Sequence, residues 1–185
     1  RGIPNSTDQL LITRGSQMAI FLAFSTLLKA GDHVLASELN YRSADQVISQ
    51  LGATKIPLKV NSSGIDLDQV ESELKKRKIK AIYITPHHHY PTTVTMTIED
   101  RLRLLQLADE FDFYILEDDY DYDYHYHRSP TLPLASIDRS DRVIYIGSFS
   151  KILVPNIRLG YMCASPALIK TFHGWRVMID RSGDP

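Results

Sequence analysis

The sequence predicts a three-layer α/β/α domain built around a mostly parallel sheet. Two observations carry that reading. Short runs rich in Val, Ile, Leu and Tyr alternate with longer segments of helical periodicity, the order that produces βαβ units. Runs such as "AIYIT" (81–85) and "VIYIGS" (143–148) are almost continuously apolar, as strands covered on both faces are.

The elements follow in order. "LLIT" (10–13) reads as a strand. "QMAIFLAFSTLLKAG" follows as a helix with Ile20, Phe24, Leu27 and Leu28 on one face and Gly31 as its C-terminal stop. "HVLAS" is a strand, and "SADQVISQLG" a helix with Ala44, Val47, Ile48 and Leu51 inward. "TKIPLKV" is a strand whose Pro57 cannot donate to a ladder, which suits a sheet edge. Asp66 and Gln69 resemble a capping box ahead of a helix carrying Leu67, Val70 and Leu74. "AIYIT" is the next strand. Thr97 and Asp100 open a helix whose inward residues are read as Ile98, Leu102, Leu105 and Ala108. "FYILE", "VIYIGS" and "GYMCAS" complete the strands.

The 185 residues are 43% hydrophobic and 23% charged, with a formal net charge of -1. That suits one domain with a real core. It offers no basic stripe of the kind that reads DNA. The single cysteine, Cys163, excludes an internal disulfide and reads as a buried small hydrophobe in a reducing compartment. No apolar run approaches the ~20 residues of a membrane span, and "RGIPNSTDQ" has no signal-peptide character. A cytoplasmic protein is expected. The chain opens without Met and stops at "DRSGDP", so it reads as a piece of something longer.

Open parallel sheets bind ligands outside the carboxyl ends of their strands. The residues found there are Gly15-Ser16-Gln17, Tyr41, "PHHHYPTT", Glu117 to Tyr120, and then Ser148, Ser150 and Lys151, with Arg158 close behind. Gly15-Ser16-Gln17 opening a helix would offer free N–H groups to an anion. Ser148 and Arg158 could add a hydroxyl and a fork of donors to a phosphate. Tyr41 could stack on a flat ring. Asp118, ending an apolar strand, needs a cationic or donor partner, and a pyridinium nitrogen would be one. Lys151 could form a Schiff base. Singly, each has a plainer reading: a structural turn, a surface arginine, a packing tyrosine, a solvated lysine. Together they are the parts of a pyridoxal 5'-phosphate site.

On "LITRGSQMAI", "TPHHHYPTTVTM", "YILEDDYDYDYHY", "SFSKILVPNIRLGYM" and "IDRSGDP", the chain resembles the large domain of fold-type I pyridoxal phosphate enzymes, the class I/II aminotransferases. It is most similar to the aminotransferase-like domain of MocR-type regulators of the GntR family. The resemblance implies that Lys151 holds the cofactor through an imine. It implies that Asp118 pairs with the ring nitrogen, that Tyr120 donates to the ring's phenolate oxygen and that Tyr41 stacks on the ring. Ser16, Gln17, Ser148 and Arg158 would bind the phosphate. Asp119 should point away from Asp118 by strand alternation. The implied partners are an amine or amino-acid effector and a second copy of the intact chain as a homodimer. DNA would be met only through a winged-helix domain outside this chain, and a C-terminal small domain would also lie outside it.

Three positions depart from the family pattern. Tyr90-Pro91-Thr92-Thr93 stands where aminotransferases often carry Asn-Pro-x-Gly, which removes an asparagine contact to the ring. Thr93 would be strained if its position needs positive φ. Asn156 replaces a frequent glycine, a milder change. His87-His88-His89 is not read as a metal site, because adjacent residues of extended chain point opposite ways. His88 matches a histidine common in MocR-type domains, and a rim role and a packing role both remain open. The run "YDYDYHYHR" (120–128) reads as an extended arm with one aromatic face. Three functions fit: an effector-sensing regulator domain, the large domain of a catalytic aminotransferase, or a vestigial dimerisation domain.

Overall fold

A computed structural model describes residues 1–3, 6–123, 131–149 and 158–181. Nine strands and five α-helices are present among them: β1 (Leu10–Thr13), α1 (Gly15–Leu27), β2 (His33–Ser37), α2 (Arg42–Gln50), β3 (Thr54–Leu58), β4 (Val60–Asn61), β5 (Gly64–Ile65), α3 (Leu67–Lys76), β6 (Ala81–Ile84), α4 (Ile98–Glu110), β7 (Tyr114–Asp119), β8 (Val143–Ser148), β9 (Gly160–Cys163) and α5 (Pro166–Asp180). Seven strands form one sheet in the order β1-β9-β8-β7-β6-β2-β3. Neighbours from β3 through β8 pair in parallel, and β9 runs against both β8 and β1. The mostly parallel sheet is therefore present, with one reversed strand. Pro57 lies in β3, at the sheet edge.

Strand alternation splits the core in two. Val34, Ala36, Tyr83, Leu116, Ile144 and Ile146 pack with α1, α2 and α5. Leu35, Ile82, Ile84, Ile115 and Val143 face the opposite way, onto α3 and α4. Phe24 of α1 is fully buried, with its ring 6.3 Å from that of Tyr83. Burying a side chain of that size contributes about 1.5–3 kcal/mol.

Some sequence expectations shift. In α4 the inward face is Arg101, Leu104, Leu107 and Ala108, while Ile98 and Leu102 are 62% and 48% exposed. A buried arginine holds the inward position that the apolar pattern assigned to its neighbours. Helix α1 ends at Leu27, and Gly31 instead turns the chain at φ +89. Asp66 caps α3 through the Asp68 and Gln69 amides, but the Gln69 side chain reaches to Lys59 N and Pro57 O rather than closing a box. "TKIPLKV" breaks at Lys59 into β3 and β4, and β4 pairs with β5. Helix α5 had no counterpart in the sequence reading. Among the described residues, no helix is long and apolar enough to cross a membrane.

Candidate functional site

Strands β1, β2, β6, β7 and β8 all end at one edge of the sheet, and a pocket of about 260 Å³ opens there. Its lining contains Ser16, Gln17, Tyr41, Asp118, Tyr120, Ser148 and Arg158. These are seven of the eight residues proposed from the sequence. The eighth, Lys151, lies outside the described residues, as do Ser150 and Asn156. Tyr83, Thr85 and Tyr90 also line the pocket. Tyr83 was legible in principle, because a tyrosine in an otherwise aliphatic strand needs a partner for its hydroxyl.

One end of the pocket is built for an anion. Ser16 and Gln17 stand in the first turn of α1, where amides are free and the helix dipole is positive. Gly15 sits at φ +76, and a Cβ there would come within 3.2 Å of Arg158 Nη2. The guanidinium thus lies against the helix start. Gly160 closes the arrangement: a Cβ on it would meet the Gly15 carbonyl carbon at 2.7 Å and Ser16 N at 2.9 Å. Strand β9 therefore passes backbone-to-backbone against α1. Ser148, the last residue of β8, is buried beside this cradle.

The other wall carries the acid. Asp118 shares its strand face with Leu116, toward α1, and its Oδ2 accepts the Tyr83 hydroxyl at 2.6 Å. Its Oδ1 is buried without a hydrogen-bond partner among the described residues. Burial pushes the carboxyl up to about 7; the Tyr83 hydrogen bond opposes this, and the charges of Asp119 and Asp121 add to it. Asp119 points to the opposite layer, where the Tyr145 hydroxyl donates to its Oδ2 at 2.9 Å and Arg1 bonds the same Tyr145 oxygen at 2.7 Å. Glu117 also turns from the pocket and accepts the Leu134 and Ala135 amides. Three consecutive carboxylates thus have three different sets of partners.

Aromatic rings form the mouth. Tyr41 precedes α2 and donates to Gln17 Oε1 at 3.2 Å. Tyr90 packs edge-on to Tyr41 and Tyr120, with centroids 5.9 and 6.4 Å away. Burial first, then the nearby Asp121 and Asp118, pushes the Tyr120 hydroxyl up to about 12, so it stays protonated and donates to the His88 carbonyl at 3.0 Å. Thr93 does adopt positive φ, +64. The His88 ring faces Asp121, with Nδ1 2.9 Å from Oδ2. His87 and His89 are buried, and no group of three metal-ligating side chains assembles among the described residues.

An anion cradle on a helix start, a buried carboxyl with one oxygen left unpartnered among the described residues and an aromatic mouth, set at one end of a mostly parallel sheet, define the cofactor domain of a fold-type I pyridoxal phosphate protein. The orphaned Asp118 oxygen fits a protonated ring nitrogen, and the Gly15–Arg158 cradle fits a phosphate. The chain belongs to the class I and II aminotransferase family, whose model matches residues 2–176. That membership implies pyridoxal 5'-phosphate as the cofactor. The chain is 36% identical to an uncharacterized aminotransferase, SSO0104, of Saccharolobus solfataricus, over 97% of this chain and 46% of that protein. It is 34% identical to the probable rhizopine catabolism regulatory protein MocR of Rhizobium meliloti, over 93% of this chain and 34% of that protein. Kynurenine aminotransferase of Pyrococcus horikoshii, solved in complex with PMP, superposes with a TM-score of 0.91 at 33% identity, covering 95% of this chain and 45% of its own. The chain thus spans less than half the length of these proteins.

Proposed function

We propose that this chain is the cofactor-binding, effector-sensing domain of a MocR-type transcriptional regulator. The observation that carries the reading is the convergence of Ser16, Gln17, Tyr41, Asp118, Tyr120, Ser148 and Arg158 on one pocket, with Asp118 Oδ1 without a hydrogen-bond partner among the described residues. Regulators among the relatives support the regulatory half of it. When bound, pyridoxal 5'-phosphate supplies an aldehyde that condenses with amines and a ring that draws electrons. The protein's residues have separate tasks. The α1 amides, Ser148 and Arg158 hold the phosphate. Asp118 takes the charge of the ring nitrogen and keeps its proton in place. Tyr41 and Tyr90 wall the ring and keep water from its face. Tyr120, protonated at neutral pH, would donate to the ring oxygen by turning its hydroxyl from the His88 carbonyl. Lys151 would hold the cofactor at its aldehyde, the same group for which an amine or amino-acid effector would compete. DNA contact falls to a winged-helix domain outside this chain. The intact protein works as a cytoplasmic homodimer.

A second reading, the large domain of a catalytic aminotransferase, is favoured by the aminotransferase relative and by the structural likeness to kynurenine aminotransferase. One experiment serves both. The protein is mixed with pyridoxal 5'-phosphate, reduced with borohydride and mapped by peptide mass. A reduced adduct at Lys151, absent from Lys151→Ala, is the expected result. Its absence from a folded full-length protein overturns the cofactor reading. Adding an amino acid together with a second keto acid as amino-group acceptor then separates the two functions: a spectral shift without conversion of the amino acid to its keto acid supports the sensor, and sustained conversion supports the enzyme.

A further inference from the structure

Arg101 does not line the pocket, yet it is placed to control it. The side chain is 1% exposed and spends its donors on three backbone carbonyls: Met96 O at 3.1 Å, Leu132 O at 2.9 Å and Pro86 O at 2.8 Å. Pro86 and Met96 are the two ends of the loop that follows β6, and the Met96 amide also donates to Pro86 O at 2.9 Å. A single guanidinium therefore cross-links both feet of the 87–95 loop.

That loop forms part of the mouth of the site. Its His88 carbonyl accepts the Tyr120 hydroxyl, its Tyr90 amide donates to Thr85 Oγ1 at 2.8 Å, and its Tyr90 ring stands against Tyr41 and Tyr120. The His89 ring bridges Thr92 and Ser37, each at 2.8 Å. The buried charge of Arg101 faces Glu117, whose Oε1 is 3.9 Å from Nη1, and Glu117 grips the backbone of Leu134 and Ala135. Strand β7 thus sends Asp118 into the pocket and Glu117 into the clamp behind it.

We infer that Arg101, held by Glu117, is a positioning residue that sets the 87–95 loop and with it the Tyr90 wall over the cofactor. A functional group held by a loop is only as well placed as the shell behind it. Lysine cannot replace this residue, because one ammonium cannot span three diverging carbonyls as a planar fork does. The ligand arm of the test rests on the cofactor reading above; the exchange arm does not.

The test compares wild type, Arg101→Lys and Ile169→Ala, the last a core truncation in α5 remote from the loop. Hydrogen–deuterium exchange is followed without ligand, at the amides of His89 and Thr93, which donate within the loop to Val94 O and His89 O, and at those of β6 and β7. Arg101→Lys should speed exchange in the loop by about tenfold while β6 and β7 keep their protection, because loop opening has been separated from global opening. Affinity for pyridoxal 5'-phosphate should fall by about tenfold, roughly one factor of ten in Kd. Ile169→Ala should speed all regions alike. Unchanged loop exchange in folded Arg101→Lys overturns the inference. So does uniform acceleration, which would make Arg101 a general stabiliser only. Should Arg101→Lys not fold, Glu117→Gln, which removes the countercharge and gives up one of the two amide bonds to the 134–135 backbone, must show the same increase in exchange at the 87–95 loop with β6 and β7 still protected. If wild type binds no cofactor, the cofactor reading fails, and the exchange comparison still decides the loop.

Discussion

Replacing Asp118 by Asn tests the electrostatics of the pocket through stability alone. Burial raises this carboxyl from 3.8 to about 7, so between those values the folded chain keeps a proton that the unfolded chain has lost. Its contribution to stability is fully present below pH 3.8 and is lost as pH rises to about 7. The slope for one such proton is about 1.36 kcal/mol per pH unit, which over this window gives on the order of 4 kcal/mol. Glu117 and Asp119, raised to about 7 and about 6, act with the same sign, so wild type without ligand should lose stability steeply across the window. Asp118→Asn keeps an acceptor for Tyr83 and removes one titrating group. Its curve should fall less, leaving it the more stable protein at pH 8. Urea unfolding followed by circular dichroism at pH 5, 6, 7 and 8 reads this directly. Pyridoxal 5'-phosphate should flatten the wild-type curve, because a ring cation restores the carboxylate, and should bind Asp118→Asn at least about tenfold more weakly. Parallel curves for wild type and Asp118→Asn would refute the reasoning. If Asp119→Asn rather than Asp118→Asn lost the cofactor, the wrong carboxylate has been chosen.

Two further outcomes follow from backbone geometry. Thr93 holds φ +64 with a β-branched side chain, so Thr93→Gly should raise stability by about 0.5–1 kcal/mol after the entropy cost of glycine, measured as a shift in the urea midpoint. Gly160→Ala would drive a methyl into the Gly15 backbone at 2.7 Å. It should cost about 1–3 kcal/mol or displace the start of α1, with weaker binding of inorganic phosphate as the second readout.

The layer order and the edge position of Pro57 were legible because period-two and period-3.6 patterns dominate those segments. The divergence of Asp118 and Asp119 was legible for the same reason: the pleat sends adjacent side chains to opposite layers. The α4 face was misread because periodicity scores arginine as outward, whereas Arg101 finds three carbonyls that only the folded loop brings together. Helix α5 escaped because its apolar residues do not keep to one stripe: Trp175, Val177, Met178 and Ile179 are exposed while Ile169 and Phe172 are buried. The need of Tyr83 for a hydroxyl partner was legible, but not that the partner is Asp118, since only the parallel pairing of β6 with β7 brings the two together.

The contact between Gly15 and Gly160 divides the pocket into a fixed part and a replaceable part. Main chain meets main chain there, so the distance between the helix start and the last strand is set by direct packing of the two backbones, with no side chain as a spacer. The mouth is made of rings, Tyr41, Tyr90 and Tyr120, whose atoms can be exchanged without touching that contact. Such a site can be re-cut for a different guest molecule while the seat for its charged tail keeps the same dimensions.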